Sequence, residues 1–220
     1  MMIDLHTHTL FSDGELIPSE LVRRAKVIGY QAIALTDHAD FTNIDRLLEA
    51  AKKARYLEEG YDITVLAGVE ITHVPPKCIP RLARKAKKMG ADIVVVHGES
   101  PVEPVAPLTN LAAVECTEVD ILAHPGFITE EEARLAADNG VYLEITSRHG
   151  HNMTNGHVVR MAKSAGAKLV VDTDTHSPED LITRERALAV ARGAGLSAEE
   201  AEAALKNSKD LLMNILKNRV

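Results

Sequence analysis

A chain of 220 residues, 45% hydrophobic and 26% charged, is long enough to bury a sizeable core and too ordinary in composition to be disordered or fibrous. Its formal net charge of −7 speaks against a large basic surface for duplex DNA or an acidic membrane. Three Phe, four Tyr and no Trp leave little for stacking single-stranded nucleic acid.

Cys78 and Cys116 lack CxxC spacing, which predicts reduced, buried thiols rather than a disulfide framework. The first residues, "MMIDLHTH", carry no signal-peptide pattern, and the longest apolar runs have strand length, short of the roughly 20 residues that span a bilayer. A soluble, cytoplasmic protein with no membrane partner is expected.

Short apolar runs alternate with segments of helical periodicity, the pattern of strand-helix units around a parallel sheet. In chain order the strands are predicted at Ile3–Leu5, Ala32–Leu35, Thr64–Ala67, Ile93–Val96, Ile121–Ala123, Tyr142–Ile145 and Lys168–Val171. Helices are predicted between them at Pro18–Ile28, Asn43–Glu59, Ile79–Met89, Ala106–Val114, Thr129–Asn139 and Asn155–Ala165. Pro18 suits a first helical turn, while Gly29, Gly90, Gly140 and Gly166 stand where helices should stop. Thr129 with Glu132 three residues on is the pattern of a capping box.

After the seventh strand come three helical stretches, Thr183–Arg192, Ser197–Asn207 and Ser208–Lys217, with Ser197 and Ser208 as caps. The last has an apolar stripe of Leu211, Leu212, Ile215 and Leu216, expected to pack as a closing helix. No composition shift marks a boundary, so residues 1–220 read as one α/β domain.

The polar residues fall in register with the strands. His6 and His8 follow the first, Asp37 and His38 the second, Glu70 ends the third, His97 and Glu99 the fourth, and His124 the fifth. Ser147, Arg148, His149 and His151 follow the sixth, and Asp172, Asp174 and His176 the seventh. In a parallel sheet closed into a barrel these ends meet at one mouth, where such folds assemble active sites.

Imidazole and carboxylate donors without thiolates suit Zn, Mn, Fe or Ni. His6, His8, Asp13, His38, Glu70, His97, His124, Asp174 and His176 make nine candidates, whereas one catalytic zinc commonly takes three protein ligands, so two or three divalent ions are implied. A carboxylate such as Glu70 could bridge two of them in a hydrolytic, phosphoryl-transfer arrangement. Gly98 and Gly126 lie beside these donors, where a missing side chain would let a ligand approach the backbone.

Taken in order, "DLHTHTLFSDG", "TDH", "GVE", "VHG", "AHPG" and "DTDTH" resemble the signature of the PHP (polymerase and histidinol phosphatase) domain family, over almost the entire chain. The resemblance implies a distorted seven-stranded (β/α)7 TIM-like barrel with C-terminal helices, and a trinuclear centre of Zn, Mn or Fe that hydrolyses phosphoesters. It puts His6, His8, Glu70 and Asp174 around one metal, Glu70, His97 and His124 on a second, and Asp13, His38 and His176 on a third. Asp13 stands where some relatives have histidine.

The resemblance further implies a metal-bridging hydroxide as nucleophile, with Glu70, His97, Asp174 and His176 closest to the chemistry. Asp37 is expected to orient His38, and Asp172 to support the ligands from behind. Arg148 could fork onto a phosphate, and His149 or His151 could act as general acid or contact substrate. His157 and His73 read as structural or surface residues. The leading expectation is a phosphatase acting on a small phosphomonoester, histidinol phosphate among the candidates. The alternatives are a nuclease or nucleotide phosphohydrolase, and a metal-stabilised interaction domain without catalysis.

Overall fold

The computed structural model describes residues 2–219. Its strands are β1 Met2–Asp4, β2 Tyr30–Leu35, β3 His38–Ala39, β4 Thr64–Ile71, β5 Ile93–His97, β6 Ile121–Ala123, β7 Tyr142–Thr146 and β8 Leu169–Asp172. All pairings are parallel, and seven strands neighbour one another in the order β1-β2-β4-β5-β6-β7-β8. The helices are α1 Pro18–Val27, α2 Ile44–Lys53, α3 Tyr56–Tyr61, α4 Ile79–Lys88, α5 Thr109–Val114, α6 Glu130–Asn139, α7 Asn155–Ala165, α8 Arg184–Gly193 and α9 Ala198–Asn218. The architecture is the expected seven-stranded α/β barrel, nearly closed.

The strands are buried on both faces, which is why they read as continuous apolar runs. Successive side chains point to opposite faces. Ile33, Leu35, Val65, Val94 and Val96 pack outward against the helices. Ile3, Leu5, Ala32, Leu66, Val95 and Val170 fill the barrel interior. Into that interior cluster α9 sends Leu211, Leu212 and Ile215, which meet Ile93, Ile121 and Tyr142, the first residues of their strands. Helix α9 therefore closes the N-terminal end, and each of its three anchors contributes about 1.5–3 kcal/mol by burial.

The barrel closes between β1 and β8 through side chains more than through a ladder. Leu5 N–H donates to Asp172 Oδ1 at 2.7 Å, and Thr173 Oγ1 donates to Asp4 Oδ2 at 2.6 Å. Further along, Asp174 N–H donates to the His6 carbonyl at 3.0 Å and His8 N–H to the Thr175 carbonyl at 2.8 Å, beside the one Thr7–Thr175 bridge. Asp172, expected to support the ligands, is thus part of the seam.

Four further departures from the sequence reading accompany β4, which runs on to Ile71 where an end at Ala67 is expected. Strand β3 had no signal of its own; it pairs with the far half of β4, placing His38 opposite Glu70. The helix expected over 43–59 is two, because Arg55 N–H and Glu58 N–H reach back only three residues, to Lys52 and Arg55, and tighten the chain into a turn. Arg55 is then drawn to Asp92, with two contacts of 2.8 and 2.9 Å. Helix α5 starts at Thr109 rather than Ala106, since Leu108 sits in the left-handed region at φ 75°.

The two helices expected at the C-terminus are the single α9. Ser197 caps it in a capping box with Glu200, but Ser208 lies in its middle, buried, and its hydroxyl has no partner. The capping box of Thr129 and Glu132 forms as expected, and Gly140 and Gly166 end α6 and α7 in the left-handed conformation. Both cysteines are free, Cys116 buried and Cys78 only half-buried at the start of α4, not fully buried as the sequence reading had it. No helix among the described residues is long and apolar enough to cross a membrane.

Because Ser208 caps nothing and buries an unsatisfied hydroxyl, Ser208→Ala is expected to leave thermal stability unchanged or to raise it by about 1 kcal/mol. Had Ser208 capped a separate helix, the same change would lower stability by about 1 kcal/mol. A calorimetric melting curve of the two proteins decides between these signs.

Candidate metal centre

The strand ends bring together the side chains that the sequence scatters. His6 and His8 leave β1 on the same side, their Nε2 atoms 3.1 Å apart. Glu70, fully buried near the end of β4, is the pivot of the cluster. Its Oε1 lies 3.3 Å from His6 Nε2 and 3.8 Å from His124 Nε2; its Oε2 lies 2.6 Å from His38 Nδ1 and 3.7 Å from His8 Nε2. Asp174 faces it, with Oδ1 3.2 Å from His8 Nε2 and 3.6 Å from His6 Nε2, and Oδ2 3.6 Å from His124 Nε2.

On the exposed side, Asp13 Oδ1 stands 3.4 Å from His38 Nε2 and 3.3 Å from His176 Nε2. The donors fall into four overlapping sets, each with ligand atoms within 4.8 Å of one another: His6, His8 and Glu70; His6, His124 and Asp174; His8, Asp13, His38 and His176; and His97, His124 and His151. All nine expected ligand candidates thus meet at one mouth. His151 joins them, although the sequence reading gave it to the substrate.

The donors fit cations. Glu70 Oε1 and His124 Nδ1 are buried with no hydrogen-bond partner, and leaving such atoms unmet costs about 1–3 kcal/mol each. Imidazole and carboxylate donors also make a set that divalent ions accept. His124 and Asp174 both hold left-handed backbone, at φ 27° and 52°. Non-glycine residues in that region carry strain of order 1–3 kcal/mol, which tends to sit at functional sites.

Behind the donors stand groups that hold them in place. His6 Nδ1 is 2.8 Å from Glu144 Oε2, an acid in the middle of β7 that the sequence reading passed over. An acidic residue inside the apolar run "YLEIT" was the available signal. Thr72 Oγ1 lies 2.7 Å from His38 Nδ1 and 3.1 Å from Glu70 Oε2. Asp37 does not orient His38. It accepts from Thr9 N–H at 2.7 Å, Thr9 Oγ1 at 2.8 Å and Ser12 Oγ at 2.8 Å, and so fixes the loop that carries Asp13.

The glycines beside the donors serve packing, not ligand approach. A Cβ on Gly98 would lie 2.3 Å from the Ala123 carbonyl oxygen, and one on Gly126 would lie 1.9 Å from that of Glu99. The loops after β5 and β6 interlock backbone to backbone, which no side chain permits.

Of the expected substrate contacts, Arg148 Nη1 is engaged by Asp180 Oδ2 at 2.7 Å, the oxygen that also accepts the N–H groups of His176 and Ser177. His149 is exposed, and His151 is buried beside His124. His73 is exposed, as expected, and approaches Glu103 at 3.3 Å. His157 sits in α7, its Nε2 2.7 Å from the Ile128 carbonyl. Glu103, unnoticed in the sequence, reaches back from the loop after β5 to within 3.5 Å of His97 Nε2.

A parallel barrel with imidazoles and carboxylates gathered at its C-terminal mouth defines the class: α/β-barrel proteins with side-chain clusters able to hold metal ions. The PHP domain family model matches residues 4–112. An uncharacterized protein of Methanocaldococcus jannaschii is 55% identical, over 98% of this chain and 100% of its own. Ribonuclease P protein component 3 of Methanosarcina mazei is 31% identical, over 88% of this chain and 81% of its own. A protein of Thermoanaerobacter named "Probable phosphatase" is 28% identical, over 90% and 89%.

Among solved structures, a chain of archaeal ribonuclease P with mature tRNA superposes with TM-score 0.73 at 18% identity, over 97% of this chain and 90% of that one. One chain from the crystal structures of the metal-dependent tyrosine phosphatases of Bacillus subtilis and Streptococcus pneumoniae gives 0.65 at 20% identity, over 97% of this chain and 95% of that one. These two likenesses show the fold. The chain belongs to the PHP domain family.

Protonation in the mouth is divided unevenly. Burial works against charge on His6, yet the carboxylates of Glu144, Glu70 and Asp174 hold it well above the ordinary imidazole range. Against the same burial, Glu70 and Asp13 push His38 up to about 10. Burial drives His8 and His124 down, helped by cationic neighbours, chiefly His38 for the first and His97 for the second. Burial raises Asp174 to about 7 although His6 opposes it.

At neutral pH the metal-free mouth therefore carries protons on His6 and His38 that a coordinated cation must displace. Ion binding at pH 7 is expected to release at least two protons per chain, from His6 and His38. Affinity should weaken steadily as pH falls from 8 to 6. Titration calorimetry in two buffers of different ionisation enthalpy measures the release, and a pH-independent affinity would contradict this division of protons.

Proposed function

We propose that this protein is a metal-dependent phosphoester hydrolase whose substrate is a small phosphomonoester. The observation that carries the reading is the convergence of nine imidazole and carboxylate donors at one barrel mouth, with Glu70 at their centre and its Oε1 lacking any other partner. Relatedness to a protein named "Probable phosphatase" supports the phosphatase choice.

His6, His8, Glu70 and Asp174 would hold one divalent ion, with Glu70, His97 and His124 holding a second and Asp13, His38 and His176 a third; zinc, manganese and iron all suit such donors. Bound ions would supply Lewis acidity toward phosphoryl oxygens and an acidified water as nucleophile. The chain's own contribution is positional. Glu144 and Thr72 fix the imidazoles of His6 and His38, and Asp37 sets the loop of Asp13. Arg148 and His149 stand on the loop after β7 for contact with the phosphate or the departing alcohol. The loops after β1, β5, β6 and β7 expose Phe11, Val102, Phe127 and Met153, so that alcohol meets apolar as well as charged surface. Histidinol phosphate is one candidate among such esters. The whole chain acts as one domain, in the cytoplasm.

A second reading, hydrolysis or binding of RNA, is favoured by the ribonuclease P component at 31% identity. It also draws on α4, which carries Arg81, Arg84, Lys85, Lys87 and Lys88 in ten residues and exposes three of them. The net charge of −7 opposes it.

Metal-stripped protein refilled with Mn, Zn or Fe(II) is expected to release phosphate from a small ester and to leave a labelled oligoribonucleotide intact. Cleavage or retention of the oligonucleotide alone would install the second reading, and metal binding without turnover of either would leave a non-catalytic domain. Glu70→Gln should abolish most turnover, at least about 100-fold, and lower metal content measured on the same sample. Arg148→Ala should raise KM for the ester about tenfold with kcat within about twofold, as expected for a lost charge-assisted contact to phosphate. Unchanged kinetics would reduce Arg148 to its tie with Asp180.

A further inference from the structure

His151 opens a short 3-10 turn, His151–Thr154, immediately after Gly150, whose φ of 87° turns the chain back toward the barrel. His151 is 7% exposed, and its Nδ1 is buried with no hydrogen-bond partner. Its ring centroid lies 4.2 Å from that of His124 and 5.8 Å from that of His97. The three residues each offer a nitrogen within 4.8 Å of the other two. From the outer side Glu103 Oε2 approaches both His97 Nε2, at 3.5 Å, and His151 Nε2, at 3.9 Å.

A residue that only touched substrate would have no reason to sit beneath the surface among two other imidazoles. The three rings, packed this closely, give one another no hydrogen bond, and His124 Nδ1 is orphaned as well as His151 Nδ1. A cation between them supplies what the protein does not. The loops that carry them are mutually seated: a Cβ on Gly150 would come within 3.3 Å of Val102, one residue before Glu103.

Building on the metal-centre reading above, we propose that His151 is a metal ligand. With His97 and His124 it forms a three-imidazole site, and Glu103 covers that site's outer face. Three imidazoles around one ion is a donor set that zinc accepts, and Glu70, already given to the ion of His97 and His124, would be the fourth donor. The two inner sets, His6, His8 and Glu70 and His6, His124 and Asp174, have two imidazoles to one carboxylate, and carboxylate suits manganese better than imidazole does. The chain therefore presents unlike positions to unlike ions, with zinc directed to the end near β5 and β6.

The test compares the wild-type protein with His151→Ala, both stripped and refilled with Zn(II) or Co(II), and reads zinc stoichiometry after dialysis together with the visible spectrum of the cobalt form. His151→Ala is expected to bind one zinc fewer, or to bind it at least about tenfold more weakly. It should lose the intense visible absorption of low-coordinate cobalt while keeping the remaining ions. Added imidazole should restore that absorption in the variant, which a protein that had merely failed to fold would not show. A variant with wild-type stoichiometry, affinity and cobalt spectrum overturns the assignment and leaves the other ligands standing. A wild-type protein that takes up no ion at all overturns the metal-centre reading and this one with it.

Discussion

Everything at the mouth depends on the first and last strands lying side by side. Without that contact the pair His6 and His8 would face solvent, and Asp174 and His176 would end an open sheet. The contact is made where backbone pairing is thinnest: two carboxylates, Asp4 and Asp172, accept from the opposite strand, and only beyond them do Asp174 and His8 donate across the seam. Burial drives both acids up, Asp4 to about 6 although Thr173 opposes it, while for Asp172 the neighbouring Asp4 adds to the effect. The closure is therefore electrostatically expensive where it is structurally necessary.

The same tension runs through the donors above. His6, Glu70 and Asp174 are buried charges or near-charges, and a protein interior tolerates them only when each is answered by another. Here the answers are mutual. Glu70 lies well below the usual carboxylate range despite burial, because His6, His38 and His97 surround it. Such a cluster is preorganised: its side chains are held by Glu144, Thr72 and the interlocked loops at Gly98 and Gly126 before any ion or substrate arrives.

Much of this was legible in the sequence. Period and punctuation place the strands and most helices, and every strand end carries a polar residue at the position where a parallel barrel converges. What could not be read was three-dimensional agreement between distant loops. Nothing local distinguishes Glu144 from other strand acids, and its partner His6 lies 138 residues away. Asp37 looked like a partner of the adjacent His38 but serves Thr9 and Ser12, 28 and 25 residues away. The glycines at 98 and 126 promised room for a ligand, yet what occupies that room is another stretch of backbone. Ser208 resembled a cap because sequence shows a hydroxyl before an amphipathic run, and cannot show that α9 continues through it. Sequence alone points His151 toward substrate, since its place in a buried trio depends on how one turn folds back.

The seam also orders events in time. Leu5 meets Asp172 across a separation of 167 residues, and His6 meets Asp174 across a comparable span. Contacts so distant in sequence form late and slowly. During synthesis the two histidines that emerge first must wait for the last strand before they acquire their carboxylate neighbour. Until then β1 is an unpaired edge on one side, the kind of surface that chaperones cover. A chain stopped before β8 would keep most of the imidazoles and none of the enclosure, so selection for the assembled centre is also selection for finishing the barrel.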